Sequence, residues 1–170
     1  MAVDEHRARA GRPSFGFAVV TASDSRTPEK DVSGALVRDL ATAAGHRVVE
    51  TVLVADDAAL LRAAVAEALA AQAVDVVVVT GGTGLAPRDV TIEAVTPLFD
   101  KSVDGFGELF RRLSYDEIGP AAMLSRATAG LVDGRAVFLL PGAPAAVRLA
   151  LEKLLLPELA HLLGQARRER

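Results

Sequence analysis

The densest group of residues able to bind an anion is Thr80-Gly81-Gly82-Thr83-Gly84, which directly follows a run of valines. Because glycine has no Cβ atom, successive backbone N–H groups can converge on a phosphate, and the threonine hydroxyls can add donors. The stretch lacks the Gly-Lys-Ser/Thr of a Walker A loop, and Pro87 replaces the third glycine of a dinucleotide fingerprint. A plain tight turn is the alternative, but the density of glycine at a strand end favours an anion-binding loop.

A charged segment, Pro87-Arg88-Asp89-Val90-Thr91, follows the glycines. Asp89 is placed to cap a helix predicted over residues 90–98. A carboxylate beside a phosphate loop can also hold Mg²⁺, which favours oxygen ligands and substrate phosphates. Arg88 can pair with a phosphate oxygen. The residues alone leave both roles of Asp89 open, and the two roles do not exclude each other.

Two further turns carry carboxylates. Asp56 and Asp57 end the second predicted strand, and Asp24 and Ser25 lie in the turn after the first. One member of the pair Asp56-Asp57 can cap the following helix while the other faces a cleft. Three carboxylate-bearing turns around one glycine-rich turn predict a site for metal-assisted phosphate chemistry.

The remaining candidate site residues come from later in the chain. Pro141 and Gly142 follow the last predicted strand, where they would close the wall of the pocket and offer a backbone N–H at a helix start. Ser125 and Arg126 could present a hydroxyl and a guanidinium to a ligand, although composition alone favours a loop there.

Short apolar runs and helical segments alternate along the chain, and these elements must position the turns. The strands are predicted at residues 15–21, 47–54, 74–80 and 136–140, and the main helices at residues 33–44, 57–73, 143–155 and 157–163. This rhythm predicts an α/β fold: a three-layer, doubly wound, mainly parallel sheet with helices on both faces. The run of valines is apolar on both faces, which predicts a central strand. The strand-to-helix turns then meet at one edge of the sheet.

Residues 100–130 break this rhythm and are predicted to form an insertion, with a helix over residues 105–115 and an irregular stretch up to Gly130. Four apolar side chains of that helix fall on one stripe: Phe106, Leu109, Phe110 and Leu113. Core packing and a subunit interface both explain the stripe.

Composition excludes several classes of protein. With 170 residues, 51% of them apolar, the chain suits one domain with a substantial core. It has no cysteine, which excludes disulfides, thiolate metal sites and cysteine nucleophiles. Its three histidines lie far apart and outside the predicted functional turns, which disfavours a Ser-His-acid hydrolase. A net charge of −3 argues against a nucleic-acid partner.

The N-terminal residues 1–13 are polar and charged and have no apolar h-region. They predict a disordered lead-in, not a signal peptide, before a single domain over residues 14–170. Since no apolar run of about 18 residues occurs, no membrane partner is expected and the cytoplasm is the default location.

Six motifs in chain order resemble the MoaB/Mog family of molybdenum-cofactor biosynthesis proteins. They are Ser23-Asp24-Ser25, Thr80-Gly81-Gly82-Thr83-Gly84, Arg88-Asp89-Val90-Thr91, Gly105-Phe106-Gly107-Glu108, Leu124-Ser125-Arg126 and Leu140-Pro141-Gly142. The resemblance runs from Phe15 to the last residue. One glycine-rich motif would be unspecific, but the ordered set is specific.

The resemblance implies a domain that binds molybdopterin. The active branch of the family adenylylates molybdopterin with ATP and Mg²⁺ and releases pyrophosphate. By motif, the two aspartates that matter most for catalysis and Mg²⁺ binding in that branch correspond to Asp89 and Asp56. The phosphate of the pterin is expected at residues 81–84, with Ser125 and the Pro141-Gly142 turn lining the pocket. Family members form trimers or dimers of trimers, which implies the same partners here.

Two departures bear on activity. Asp104 precedes Gly105-Phe106-Gly107-Glu108 where many adenylylating members have proline, and residues 106–119 are closer to the MoaB branch, some of whose members do not catalyse adenylylation. Arg88-Asp89 is intact, however, and inactive members tend to lose that motif. An adenylyltransferase is therefore the favoured interpretation, ahead of a non-catalytic pterin-binding protein and of a general nucleotide-binding module.

Overall fold

The computed structural model describes residues 13–168, so residues 1–12 of the predicted lead-in lie outside the described range. The strands are β1 (Gly16–Ala22), β2 (Arg47–Val54), β3 (Val76–Thr80), β4 (Lys101–Ser102), β5 (Thr128–Val132) and β6 (Arg135–Leu140). The α-helices are α1 (Val32–Ala43), α2 (Ala58–Ala70), α3 (Thr91–Val95), α4 (Asp104–Ile118), α5 (Pro144–Ala150) and α6 (Leu156–Ala166). Short 3₁₀ turns occupy Pro28–Lys30, Thr96–Leu98 and Gly119–Leu124.

The six strands form one sheet in the order β2-β1-β3-β6-β5-β4. β2, β1, β3 and β6 are parallel, whereas β5 and β4 run antiparallel to their neighbours. β3 lies inside the sheet with all of its residues buried, as its valines predict. Val78, for example, lies opposite Val19 on β1 and Phe138 on β6.

The side chains of β3 alternate between two core clusters. Val76 and Val78 pack with α1, α4, α5 and α6, while Val77 and Val79 pack with α2 and α3 on the opposite face. The sheet is therefore covered by helices on both faces, which confirms the predicted three-layer α/β class.

The order of the strands reverses at β1. The chain passes from β1 through α1 to β2 on one side, and then through α2 to β3 on the other. The two crossover helices leave in opposite directions, so a crevice opens between the carboxyl ends of β1 and β3. Ligands of open α/β sheets bind at this kind of switch point.

β4 and β5 were absent from the predicted elements. β5 and β6 form a hairpin in which Val132 pairs with Arg135 across a two-residue loop, Asp133-Gly134. Both loop residues have positive φ angles, 50° and 75°, as a type I′ turn requires. Asp-Gly between two apolar runs is a strong hairpin signal, so the prediction of an irregular stretch up to Gly130 was wrong at its end.

The helix predicted over residues 105–115 is confirmed as the longer α4. Phe106 and Phe110 are buried in the core and Leu113 packs partly against it, which confirms core packing for most of the stripe. Leu109 is 55% exposed.

The two separate C-terminal helices of the prediction form one continuous helical segment. α5 passes through a π-helical stretch, Leu151–Leu155, into α6. Pro157 has no N–H to donate to an i−4 carbonyl, and a widened turn before it accommodates that loss without ending the helix. None of the helices in residues 13–168 has the length and apolar character needed to cross a bilayer.

Candidate functional site

A cleft of about 520 Å³ opens at the carboxyl edge of the sheet, and its floor lies at the switch point between β1 and β3. It is lined by the turns after β1, β2, β3 and β6, together with one face of α4 and the segment that follows α4. Most of the predicted site residues meet here: Ser25, Asp56, Gly81, Gly82, Thr83, Gly84, Arg88, Asp89, Ser125, Pro141 and Gly142.

The glycine loop (residues 80–84) needs glycine for two different reasons. Gly81 and Gly82 both have positive φ angles, 92° and 63°, which residues with a side chain rarely adopt. A Cβ on Gly81 would collide with the carbonyl oxygen of Ala22, and one on Gly82 would lie 2.9 Å from Asp56 Oδ1. The loop therefore approaches the turns after β1 and β2 more closely than any other residue would allow.

The carbonyl oxygens of the loop are held on the side away from the cleft. Thr91 donates its hydroxyl to Gly81 O and its backbone N–H to Gly82 O, each at 2.9 Å. Arg126 donates to Thr83 O at 3.1 Å. In a trans peptide the following N–H points opposite to the carbonyl, so the N–H groups of Gly82, Thr83 and Gly84 are turned towards the cleft. Within residues 13–168 these three N–H groups have no acceptor.

Thr80 occupies a different position from the rest of the loop. Its side chain is fully buried, on the same side of β3 as Val76 and Val78, and it does not line the cleft. Its hydroxyl therefore adds no donor there, and Oγ1 has no partner among the described residues. Thr83, which is 5% exposed, is the threonine that reaches the cleft wall.

Asp56 is the most perturbed carboxylate of the site. Asp24 Oδ1 accepts the backbone N–H of Asp56 at 2.9 Å, which brings the two acidic turns together. Asp56 Oδ1 is buried and has no hydrogen-bond partner among the described residues. Burial raises the pKa of Asp56, the nearby charges of Asp24 and Asp89 raise it further, and the Arg88 guanidinium opposes them.

The neighbouring aspartate has a different role. Asp57 is the N-cap of α2, where its Oδ1 accepts from Ala59 N and Leu60 N, both at 2.9 Å. The predicted division of labour within the pair, with one cap and one residue facing the cleft, is confirmed.

The capping role considered for Asp89 is not found. The helix after the glycine loop begins at Thr91, its N-cap is Val90, and no side chain caps it. Asp89 Oδ2 accepts instead from Ala86 N at 3.0 Å, inside the preceding turn. The helix starts one residue later than predicted, so Asp89 belongs to the turn that precedes it. The Asp89 carboxylate therefore lies on the wall of the cleft.

Arg88 and Ser125, both predicted to contact a ligand, differ in their hydrogen-bond partners. Arg88 is exposed on the cleft wall and has no hydrogen-bond partner in the described part of the chain. Ser125 lines the cleft while its Oγ accepts Ala127 N at 3.3 Å, which leaves its hydroxyl proton free to donate.

Arg126 does not face the cleft, contrary to the possibility raised from the sequence. Its guanidinium donates to backbone carbonyls of the glycine loop and of Asp89 on the side away from the cleft. It also pairs with Glu93 on α3. The hydrogen bond from Arg126 lowers the pKa of the Glu93 carboxyl.

Sequence reasoning missed a second arginine, Arg26, which lines the cleft beside Gly142 and donates to Gly142 O at 3.2 Å. Arg26 also pairs at 3.6 Å with Asp31. Asp31 accepts from Thr21 Oγ1 at 2.6 Å and from Gly34 N at 2.9 Å, as the N-cap of α1. Asp31, an aspartate just before a predicted helix, was the available signal for the N-cap. No local pattern marked Arg26.

The insertion supplies an apolar wall that the sequence analysis did not place. Phe110, Ile118 and Leu124 line the cleft opposite the acidic turns, together with Ser114. Ile118 and Leu124 are more than half exposed, so they offer apolar surface to a flat ligand at the mouth of the cleft.

The described residues contain no group of three His, Cys, Asp or Glu side chains close enough to form a complete metal site. Asp56 and Asp89 could supply two carboxylate oxygens. Mg²⁺ is commonly bound through one or two carboxylates, with substrate phosphates and water completing its shell, so the residues present fit that mode.

Fold and site together define a class of protein: a doubly wound α/β domain with an anion-binding geometry at its switch point. A family model described as "Probable molybdopterin binding domain" matches residues 18–161. The chain is 47% identical over 170 residues to molybdenum cofactor biosynthesis protein B of Bacillus cereus, covering 99% of this chain and 100% of that protein.

Two solved structures agree with this match. A crystal structure of molybdenum cofactor biosynthesis protein B has a TM-score of 0.91 at 48% identity and covers 94% of this chain and 99% of its own. The tungsten cofactor synthesizing protein MoaB from Pyrococcus furiosus has a TM-score of 0.83 at 41% identity and covers 91% and 98%. The chain therefore belongs to the MoaB/Mog family of molybdenum-cofactor biosynthesis proteins, on its MoaB side, which confirms the resemblance.

Proposed function

We propose that this chain is a molybdopterin adenylyltransferase that uses ATP and Mg²⁺. The observation that carries the proposal is that hydrogen-bond donors and an unpaired carboxylate oxygen meet in the same cleft. Three free N–H donors of the glycine loop lie beside Asp56, whose buried oxygen has no partner within residues 13–168. Donors suit phosphates, and a carboxylate that would repel a phosphate becomes useful when a cation lies between them.

The glycine loop supplies the phosphate site. The N–H groups of Gly82, Thr83 and Gly84 bind phosphate oxygens, as backbone donors do in other anion-binding loops that lack a lysine. Two arginines, Arg26 and Arg88, also line the cleft and add charge for the remaining phosphate oxygens.

Asp56 and Asp89 are the residues proposed to hold Mg²⁺. Bound there, Mg²⁺ would offset the negative charge that builds up on the phosphate oxygens during transfer. The close approach of Asp24 and Asp89 to Asp56 is unfavourable without a cation, as the raised pKa of Asp56 indicates. This crowding supports a cation site more than a structural role.

In the reaction, an oxygen of the pterin phosphate forms a bond to the α-phosphorus of ATP. The bond from that phosphorus to the oxygen bridging the β-phosphate breaks, and pyrophosphate leaves with the bonding pair. The chain itself holds the pterin phosphate and the α-phosphate of ATP in line and reduces the repulsion between them. No nucleophilic side chain is needed, in keeping with the lack of histidine among the residues that line the cleft.

The pterin is proposed to lie against the apolar surface of Ile118 and Leu124, which are more than half exposed. Ser125 and the N–H at the Pro141-Gly142 turn then provide the polar contacts that orient its ring and phosphate. The proposed pterin site is therefore continuous with the phosphate site on the glycine loop.

Three further features are proposed, the first from the family resemblance and the other two from the sequence. The chain forms a trimer or a dimer of trimers, acts in the cytoplasm, and has a single domain over residues 14–170. Exposed apolar side chains of α4 and the turn after it, including Leu109, Tyr115 and Met123, support a subunit contact near residues 105–115.

The test is to incubate the protein with molybdopterin, ATP labelled at the α-phosphate, and Mg²⁺. We expect label in an adenylylated pterin and an equal amount of pyrophosphate, with neither formed when the pterin or Mg²⁺ is omitted. A protein that binds molybdopterin stoichiometrically but releases no pyrophosphate would be a non-catalytic binding protein of the same pathway. A protein that binds ATP equally well and ignores the pterin would be a general nucleotide-binding module.

A further inference from the structure

We propose that Arg126 is a positioning residue that fixes the glycine loop with its N–H groups facing the cleft, without touching the ligand. This inference rests on the proposed function because it concerns the same phosphate site. Arg126 lies just before β5, on a segment that is more than forty residues from the loop in sequence.

One guanidinium binds three backbone carbonyl oxygens of the segment that forms the cleft wall. Nε donates to Thr83 O at 3.1 Å, and Nη2 donates to Gly84 O at 2.7 Å and to Asp89 O at 3.4 Å. These contacts join the glycine loop to the turn that carries Asp89, so one side chain sets the position of both.

The contacts determine where the N–H groups point. A carbonyl held by Arg126 turns the next N–H of the planar peptide to the opposite side, which is the cleft side for Gly84. The loop cannot hold this orientation by itself, since glycine adopts many backbone conformations at little cost. Without an anion the parallel N–H dipoles also repel each other. The guanidinium counters both tendencies before a ligand arrives.

Arg126 acts through geometry more than through charge. Its Nη1 pairs with Glu93 Oε1, and Nη2 lies 3.4 Å from Glu93 Oε2, so its positive charge is largely neutralised at α3. The planar fork of five N–H donors reaches several carbonyls at once, which the single ammonium of lysine cannot do.

The chain offers a matched control in Arg111 on α4. Arg111 Nη1 donates to Ser125 O at 3.4 Å and to Ala127 O at 3.2 Å, the carbonyls on either side of Arg126. Arg111 thus stabilises the same segment as Arg126, but it makes no contact with the glycine loop and does not line the cleft. Loss of Arg111 reports the cost of loosening that segment alone.

The experiment measures molybdopterin binding by calorimetry, because the phosphate of the pterin is assigned to the glycine loop, and it measures the melting temperature. The proteins compared are the wild type, Arg126→Ala, Arg126→Lys and Arg111→Ala. We expect Arg126→Ala to weaken binding about tenfold or more, because several hydrogen bonds that orient the donors are lost. We expect Arg126→Lys to lie between alanine and the wild type. Arg111→Ala should lower the melting temperature and leave molybdopterin affinity within about twofold.

Steady-state kinetics separate positioning from general stabilisation. The KM for molybdopterin should rise in Arg126→Ala with kcat per folded molecule changed less, since binding of the pterin phosphate and not chemistry depends on the loop. If Arg126→Ala does not fold, Arg126→Lys carries the test. Wild-type affinity in both variants, or an equal loss in Arg111→Ala, would overturn the inference while leaving the proposed function intact. No molybdopterin binding by the wild type would overturn both.

Discussion

Two aspartates at the same edge of the sheet, Asp31 and Asp56, have opposite environments. Asp31 is the more buried, at 5% exposed, yet its carboxylate is fully engaged by the Thr21 hydroxyl, the Gly34 N–H and the Arg26 guanidinium. Asp56 is only partly buried, yet its Oδ1 has no partner among the described residues and two further carboxylates crowd it.

Burial alone therefore does not distinguish a structural carboxylate from a ligand-binding one in this cleft. A buried carboxylate with a complete set of donors is a structural element that joins β1, α1 and the turn after β6. A carboxylate with one buried oxygen left unpaired, held next to like charges, is stabilised by a cation or a proton. Asp31 therefore stabilises the fold, whereas Asp56 is the carboxylate proposed to bind the ligand, and variants of the cleft residues can test this difference.

The largest expected effect is on turnover, from Asp89→Asn. In the wild type, Ala86 N donates to the Asp89 carboxylate at 3.0 Å, and the amide oxygen of asparagine can still accept this hydrogen bond. The turn is therefore retained while the charge is lost. Pyrophosphate release should fall by about 100-fold or more, the scale on which electrostatic groups of active sites contribute. Pterin binding and the melting temperature should change little. An unstable variant with normal turnover per folded molecule would show that Asp89 is structural.

The largest expected effect on stability is from Asp31→Ala. The change removes a helix cap, leaves the buried Thr21 hydroxyl without its acceptor and leaves Arg26 unpaired. The free energy of unfolding should fall by about 3 kcal/mol, measured by urea denaturation. A loss below about 1 kcal/mol, the size of a cap alone, would mean that the network is not needed for the fold.

A smaller effect is expected from Arg88→Ala, because this exposed arginine has no hydrogen-bond partner within the described residues. The KM for ATP should rise about tenfold, as for the loss of a charged hydrogen bond to phosphate, while the melting temperature stays unchanged. Arg112→Ala on α4, which removes an exposed ion pair with Asp116, is the control and should change neither value. Equal effects of the two changes would refute a local role for Arg88.

The smallest effect is a dependence of stability on pH at Asp56. Its folded pKa is raised, so the folded state holds this proton more tightly than the unfolded chain. Wild-type stability therefore falls as the pH rises through the folded pKa of Asp56. Asp56→Asn cannot ionise, so its melting temperature should exceed that of the wild type at neutral pH. The gap should close below the ordinary aspartate pKa of about 3.9. A gap that is independent of pH would show that crowding by charge is not the cause.

Features that depend on neighbouring residues were predictable from the sequence. The buried β3, the glycine loop after it and the division between Asp56 and Asp57 follow from local patterns of valine, glycine and aspartate. The antiparallel hairpin also has a local signal in Asp133-Gly134, but the alternation of helices and strands along the chain favours a prediction of parallel pairs.

Contacts between distant segments were not predictable in this way. Arg26 and Gly142 are 116 residues apart in sequence, and Arg126 reaches Gly84 across 42 residues. Nothing in the local pattern distinguishes an arginine that faces a ligand from one that fastens a loop. Only the path of the backbone decides whether carbonyls or open cleft lie within reach of the guanidinium, and so the roles of Arg26 and Arg126 emerged from the structure.

The most direct test of the proposed role of Asp56 compares Asp56→Asn with Asp57→Asn, two changes at the end of the same strand. Both changes remove one negative charge from adjacent residues, and asparagine caps α2 about as well as aspartate. Mg²⁺-dependent pyrophosphate release is measured with molybdopterin and ATP. We expect near wild-type release from Asp57→Asn and a loss of about 100-fold or more from Asp56→Asn, with both proteins folded. Equal release from the two variants would contradict it.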